Sequence, residues 1–127
     1  VSKESLYLGA QGEGAAVKFL QDNNYKILAR NYKTKLGEID IIARDKGVLV
    51  FVEVKTRNSD RFGAPAEALI SRKRRQISKV ALGFLKENNL LDSKARFDVV
   101  SVLCLADGSS KTDLIKNAFE LESNFTY

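Results

Sequence analysis

Gly37-Glu38-Ile39-Asp40-Ile41-Ile42-Ala43-Arg44-Asp45-Lys46-Gly47-Val48-Leu49-Val50-Phe51-Val52-Glu53-Val54-Lys55 decides how this chain folds. Two β-branched, apolar runs flank Asp45-Lys46-Gly47, the pattern of a β-hairpin with turn residues at its centre. Pairing Arg44 with Leu49 across a four-residue turn sets the register and puts Asp40 directly opposite Glu53. Directly opposed residues share a face, with Cβ atoms about 5 Å apart. Period-2 alternation adds Lys55 to the Glu53 face and sends Val52 and Val54 to the other. An Asp, a Glu and a Lys are therefore expected on one surface. Two carboxylates in contact repel unless a cation or a proton sits between them. The same register opposes Glu38 to Lys55, so a plain cross-strand ladder is the competing account. Exposed pairs of that kind contribute about 0–1 kcal/mol, and the ladder leaves Asp40 facing Glu53 without a counter-charge.

Upstream, residues 9–23 read as a helix. Ala16, Val17 and Leu20 lie at i+3, i+4 and i+7 from Glu13, so Glu13 shares their inward stripe. A carboxylate there needs a partner; the other reading is an early-turn acid that complements the helix dipole. Gly9, Gly12 and Gly14 weaken this helix or let another backbone come close. Asn23-Asn24 ends it, and residues 25–33 form a first strand with Lys26, Arg30 and Lys33, followed by Lys35.

Downstream of the hairpin, residues 56–63 read as a polar loop, and Pro65 starts a short helical turn through Leu69. Ser71 caps a helix over residues 72–88 whose apolar stripe is Ile77, Val80, Ala81, Phe84 and Leu85. Its first turn is Arg72-Lys73-Arg74-Arg75, with Lys79 one turn on. Cations at a helix N-terminus oppose the macrodipole. Gathered there, they suit a phosphate-binding surface assisted by free backbone N–H groups; the alternative is a solubilising patch. Asn88-Asn89 closes the helix. Residues 96–105 form a strand apolar enough to be covered on both faces, residues 106–110 a turn and residues 114–119 a final short strand. The order predicts one α/β domain over residues 1–127, a mixed sheet packed between helices, with loose ends at about 1–8 and 122–127.

At 127 residues the chain can bury a proper core without disulfide or metal staples. It has no histidine and one cysteine, Cys104. That excludes Ser-His-Asp and Cys-His nucleophile systems, His-based metal motifs and a Cys-rich zinc site. Hydrolytic chemistry is left to carboxylates, lysine and metal-bound water. No apolar run approaches the roughly 20 residues of a membrane helix, and no secretory signal opens the chain, so a cytoplasmic protein without a membrane partner is expected. The net charge is +5, yet residues 106–127 carry two basic and four acidic groups, which leaves +7 on residues 1–105. A basic body suits a polyanionic partner. Glu13, Asp40 and Glu53 offer only oxygen, the donor type for Mg²⁺ or Mn²⁺. Lys55 would orient an attacking water or stabilise charge growing in the transition state.

Asp40 followed by Glu53-Val54-Lys55 resembles the D…(D/E)-x-K signature of restriction-endonuclease-like nucleases, and Glu13 on the first helix is similar to archaeal Holliday-junction resolvases. A longer ordered set resembles the bacterial YraN family of uncharacterised, predicted endonucleases. It comprises Gly12-Glu13-x-Ala15-Ala16, Arg30-Asn31-Tyr32, residues 37–43, residues 50–57, Phe62-Gly63, Arg96-Phe97-Asp98-Val99-Val100 and Asn117-Ala118-Phe119.

The resemblance implies a restriction-endonuclease-like α-β-β-β-α-β core and a catalytic site of Glu13, Asp40, Glu53 and Lys55. The first three would ligate the metal and the Val54 carbonyl would complete its shell. The resemblance does not fix the substrate; DNA, branched or otherwise distorted structures included, is expected ahead of RNA. Arg57, Arg72, Lys73, Arg74, Arg75 and Lys79 would contact nucleic-acid phosphates, with Gln76 as an accessory polar residue. Ile39 stands where the superfamily pattern has Pro, a departure that touches no ligand. Two other readings stay open: a catalytically silent nucleic-acid-binding or adaptor module on the same fold, and a protein whose basic helix docks an acidic protein surface. A homodimer is expected if two strands are to be cut.

Overall fold

A computed structural model describes residues 3–58 and 71–120, with side chains from Ala10 and Arg72 onward in the two segments. The elements run α1 (Lys3–Asp22), β1 (Lys26–Thr34), β2 (Gly37–Asp45), β3 (Val48–Arg57), α2 (Ser71–Glu87), β4 (Ala95–Cys104) and β5 (Ser110–Phe119). The five strands form one sheet in sequence order. β3 and β4 are parallel, and every other pairing is antiparallel. This is the expected mixed α/β sheet flanked by helices. Among the described residues no helix is long and apolar enough to cross a membrane.

α2 joins the two parallel strands, which cannot be linked by a tight turn, and so covers one face of the sheet. Its Ile77, Val80, Ala81 and Leu85 pack on Ile39, Ile42, Leu49, Phe51, Phe97 and Val99. α1 covers the other face, where Ala16 and Leu20 meet Ile41, Ala43, Val50, Val52, Val100 and Val102. Being covered on both sides explains why β3 and β4 read as unbroken apolar runs.

The two Asn-Asn pairs end both helices by the same device. Asn23 and Asn88 each donate a side-chain N–H to the carbonyl four residues back, Phe19 and Phe84, at 2.8 Å. Asn24 and Asn89 then take left-handed backbone angles, φ 69° and 56°. The next N–H, of Tyr25 or Leu90, reaches back to the carbonyl of Leu20 or Leu85 at 2.9 and 2.7 Å, a closure that satisfies carbonyls the helix itself leaves bare.

Several boundaries differ from the sequence reading. α1 begins at Lys3 rather than Gly9. The central hairpin keeps the expected register, with Arg44 opposite Leu49, but Asp45 also pairs with Val48. The turn is therefore only Lys46-Gly47, whose positive φ values (51° and 84°) fit a two-residue connection. Thr56 and Arg57 belong to β3 rather than to a loop, because they stay paired beside Val102 and Leu103 of β4. β5 starts at Ser110 instead of 114, zipped against Cys104. Residues 59–63 of the polar loop and the turn expected from Pro65 to Leu69 lie outside the described residues.

Candidate functional site

Asp40 and Glu53 lie close enough to feel each other's charge, but they are not paired on one face as expected. The β2–β3 ladder runs from Asp45–Val48 to Ile41–Val52 and stops there. Beyond it the strands part, and the Asp40 carboxylate accepts the Val54 N–H at 2.8 Å, taking the place of a ladder carbonyl. Regular alternation would put Ile39 and Ile41 on one face, yet they lie in the cores on opposite faces. The pleat slips at Asp40. Its neighbour on β1, Asn31, sits between the Arg30–Ile41 and Tyr32–Ile39 pairs with φ 51°, so both strands turn together. Asp40 consequently lines a cleft of about 230 Å³ on the α1 face with Glu13, Asn31, Glu38, Val54 and Thr56. Val54 packs into the α1-side core, which sends Glu53 the other way, toward α2. There Lys73 lies 3.7 Å from Glu53 Oε2. The two acids face each other across a fork rather than along a ladder.

The electrostatics record this arrangement. The Glu53 side chain is 5 % exposed, and its Oε1 has no hydrogen-bond partner. Burial chiefly, then the Asp40 charge, pushes its carboxyl up to about 7, against the smaller pull of Lys73, Lys55 and the Asp40 backbone N–H. Asp40 is raised too, first by burial, with the charges of Glu38 and Glu13 adding to it and the Val54 N–H and Lys73 opposing. Lys55 is half-buried, at Glu53's end of β3.

Glu13 sits on the flank of the α1 stripe rather than within it. Gly12, Ala16 and Leu20 are the buried positions, and Glu13 keeps 19 % of its side chain exposed. Because the left-handed turn at Asn31 points two consecutive residues at α1, Asn31 Nδ2 donates to Glu13 Oε1 at 2.9 Å while Arg30 Nε lies 3.5 Å from the same atom. The height of Glu13 over the sheet is set by Gly12, where a Cβ would overlap the Thr56 side chain. Of the two readings of the glycines, close approach holds at Gly12, whereas a Cβ at Gly14 would meet open space.

The donor set fits a hard cation. A buried carboxylate oxygen lacks a partner, a second acid lies beside it, and every donor is oxygen. Mg²⁺ takes one or two carboxylates and keeps several waters. Among the described residues no three acids are already gathered closely enough to hold a metal between them. Glu13, tied to Asn31 and Arg30, stands at the rim of the Asp40–Glu53 pair.

The basic residues divide. Arg72 and Arg75 are exposed, as is Gln76, whose side chain lies across the backbone of Gly37, a residue before Glu38. Lys79 is half-buried on α2, and Arg57 half-buried at the end of β3. Arg74 lies over the Phe119 ring at 5.9 Å. Lys73 is placed by an ion pair with a candidate ligand, Glu53. The sequence reading gave Lys73 only a phosphate role, Glu38 only a ladder pairing with Lys55, and Asn31 and Thr56 no place in the site. A left-handed Asn inside a strand leaves no pattern in a hydrophobic alternation.

A second polar cluster was also missed. Arg96 donates to Asp98 (Nε–Oδ1 2.9 Å, Nη2–Oδ2 3.1 Å), to Asp45 at 2.7 Å and to the Tyr25 hydroxyl at 2.9 Å. Tyr25 donates in turn to Asp98 at 2.9 Å, as does the Asn117 backbone N–H. Beside it Phe97 stacks on Phe119 with centroids 4.6 Å apart. Arg96-Phe97-Asp98 and Asn117-Ala118-Phe119 are thus bound to each other across β4 and β5.

Residues 12–102 match the model of a family described as uncharacterised protein family UPF0102. A UPF0102 protein of Geobacter metallireducens is 50 % identical over 121 residues, covering 95 % of this chain and 98 % of the relative. Another, from Trichlorobacter lovleyi, is 46 % identical over 123 residues, covering 95 % and 96 %. A third, from Geobacter sulfurreducens, is 44 % identical over 120 residues, covering 94 % of each.

Proposed function

We propose, for a chain that belongs to the uncharacterised UPF0102 family, a metal-dependent phosphodiesterase that cuts DNA, branched or otherwise structured DNA included. The observation that carries this reading is the buried Glu53 carboxylate, with one oxygen unpartnered, beside Asp40 and beneath the basic first turn of α2.

Asp40 and Glu53 would hold Mg²⁺ or Mn²⁺, with the Val54 carbonyl and a direct or water-bridged Glu13 completing the shell. The ion would supply a bound water of lowered pKa and offset charge on the leaving oxygen. Lys55 orients the attacking water and stabilises negative charge on the phosphoryl oxygens. Asn31 and Arg30 fix Glu13. Arg72 and Arg75 seat backbone phosphates, which position a duplex without reading its sequence.

Nicking of plasmid and branched DNA in Mn²⁺ tests this. Asp40→Asn or Lys55→Ala lowers cleavage on the order of a thousandfold while salt-sensitive DNA binding persists. Unchanged cleavage in both variants removes the mechanism. One observation favours a second reading, a silent nucleic-acid-binding module: Glu53 already has a cation near it, Lys73. That reading expects the same binding with no nicking in any divalent metal.

A further inference from the structure

Lys73 is the one residue of the basic turn that faces both the helix surface and the acid pair. Its side chain is 39 % exposed, while the Glu53 side chain it approaches is 5 % exposed. The separation of 3.7 Å is that of a loose ion pair, longer than a hydrogen bond. Glu53 Oε1 has no partner at all. A lysine is a point charge on a flexible stem with three rotatable donors, unlike the fixed fork of arginine. It can leave one anion for another without a backbone shift. Phosphate groups held by Arg72 and Arg75 would arrive on the same turn.

We propose that Lys73 is an exchangeable counter-ion that couples metal binding to phosphate binding. In the unloaded protein its ammonium neutralises Glu53. When a phosphodiester backbone seats on the first turn of α2, the ammonium transfers to a phosphate oxygen and leaves Glu53 to the divalent cation. Each ligand then tightens the other by the same factor, since coupling free energies are reciprocal. The inference rests on the metal-dependent reading above, and it turns the observation favouring the silent module into a loading step: the cation near Glu53 is a placeholder.

The test is calorimetric Mn²⁺ titration of the full chain without nucleic acid, in wild type, Lys73→Met, Lys73→Gln, Lys73→Arg and Arg75→Ala. Removing a competing unit charge beside the carboxylate should tighten Mn²⁺ about tenfold in Lys73→Met and Lys73→Gln. Lys73→Arg keeps the charge and stays near wild type. Arg75→Ala removes a charge from the same turn without touching Glu53 and shifts the affinity less than about twofold. A second measurement follows binding of a short DNA duplex by fluorescence anisotropy, with and without Ca²⁺. Ca²⁺ should strengthen binding to the wild type several-fold more than to Lys73→Met.

If Lys73→Met and Lys73→Gln bind Mn²⁺ no tighter than wild type, the metal site stands and the counter-ion role falls. An equal gain in Arg75→Ala also overturns it, because general charge then suffices. No Mn²⁺ binding by any protein sinks the metal site and the coupling together.

Discussion

Two pairs of acids share this sheet, and they are finished differently. Asp45 and Asp98 are joined through Arg96, and Asp40 and Glu53 come together at the β2–β3 fork; along β2, Asp40 and Asp45 are roughly 17 Å apart. The Asp98 side chain is fully buried, and Arg96, the Tyr25 hydroxyl and the Asn117 N–H supply its oxygens with donors. Arg96 and Lys116 both reach Asp45 Oδ2, and the Arg96 hydrogen bond holds that carboxyl below the usual carboxylate range. Glu53 is nearly as buried, yet one of its oxygens has no hydrogen-bond partner, and the carboxylate is met by a distant ammonium and the Asp40 backbone N–H. Burial alone therefore does not separate an acid whose donors are supplied from one left open. The separating feature is valence left unmet.

The comparison breaks first at Arg96. Arg96→Met strips counter-charge from both acids of the closed network and should cost about 3–5 kcal/mol, read as a lower urea midpoint by circular dichroism. A loss under about 1 kcal/mol would mean that the network contributes little to holding these strands together.

Next in size is a pH effect at the open pair. The Glu53 carboxyl is raised from 4.5 to about 7 in the fold, so the native protein keeps this proton longer than the unfolded chain does. Stability of the metal-free protein should then fall as pH rises from about 4.5 to about 7 and level off above, by roughly 3 kcal/mol at most. Glu53→Gln should flatten that slope and abolish Mn²⁺ binding. Asp45 works in another window: its lowered pKa adds stability above about 3.8 that is lost only in stronger acid. A slope that survives Glu53→Gln would place the titrating group elsewhere.

The smallest effect sharpens the comparison. Tyr25→Phe deletes one donor to Asp98 and one acceptor for Arg96 while leaving the ion pairs, and should cost about 1–2 kcal/mol without altering metal affinity.

Much of the frame was readable beforehand because it depends on neighbours in sequence. The Arg44–Leu49 register follows from local alternation and a Lys-Gly turn. The helix ends follow from two Asn-Asn pairs, and α2's buried stripe from its helical spacing. What escaped depends on long separations or on a single torsion. Tyr25 and Asp98 meet across 73 residues. The fork after Ile41–Val52 arises where two strands diverge, which alternation assumes they do not. Lys73 sits in a run of four cations, and nothing in that run says which one leans inward.

Asn31 has a consequence beyond holding Glu13. β1 is a rim strand of the sheet, and a regular rim invites another chain to zip on. A single left-handed residue midway along it breaks the row of outward N–H and C=O groups, and the flanking Lys26, Arg30, Lys33 and Lys35 are all exposed. That torsion and the exposed cations together make this margin a poor template for edge-to-edge pairing.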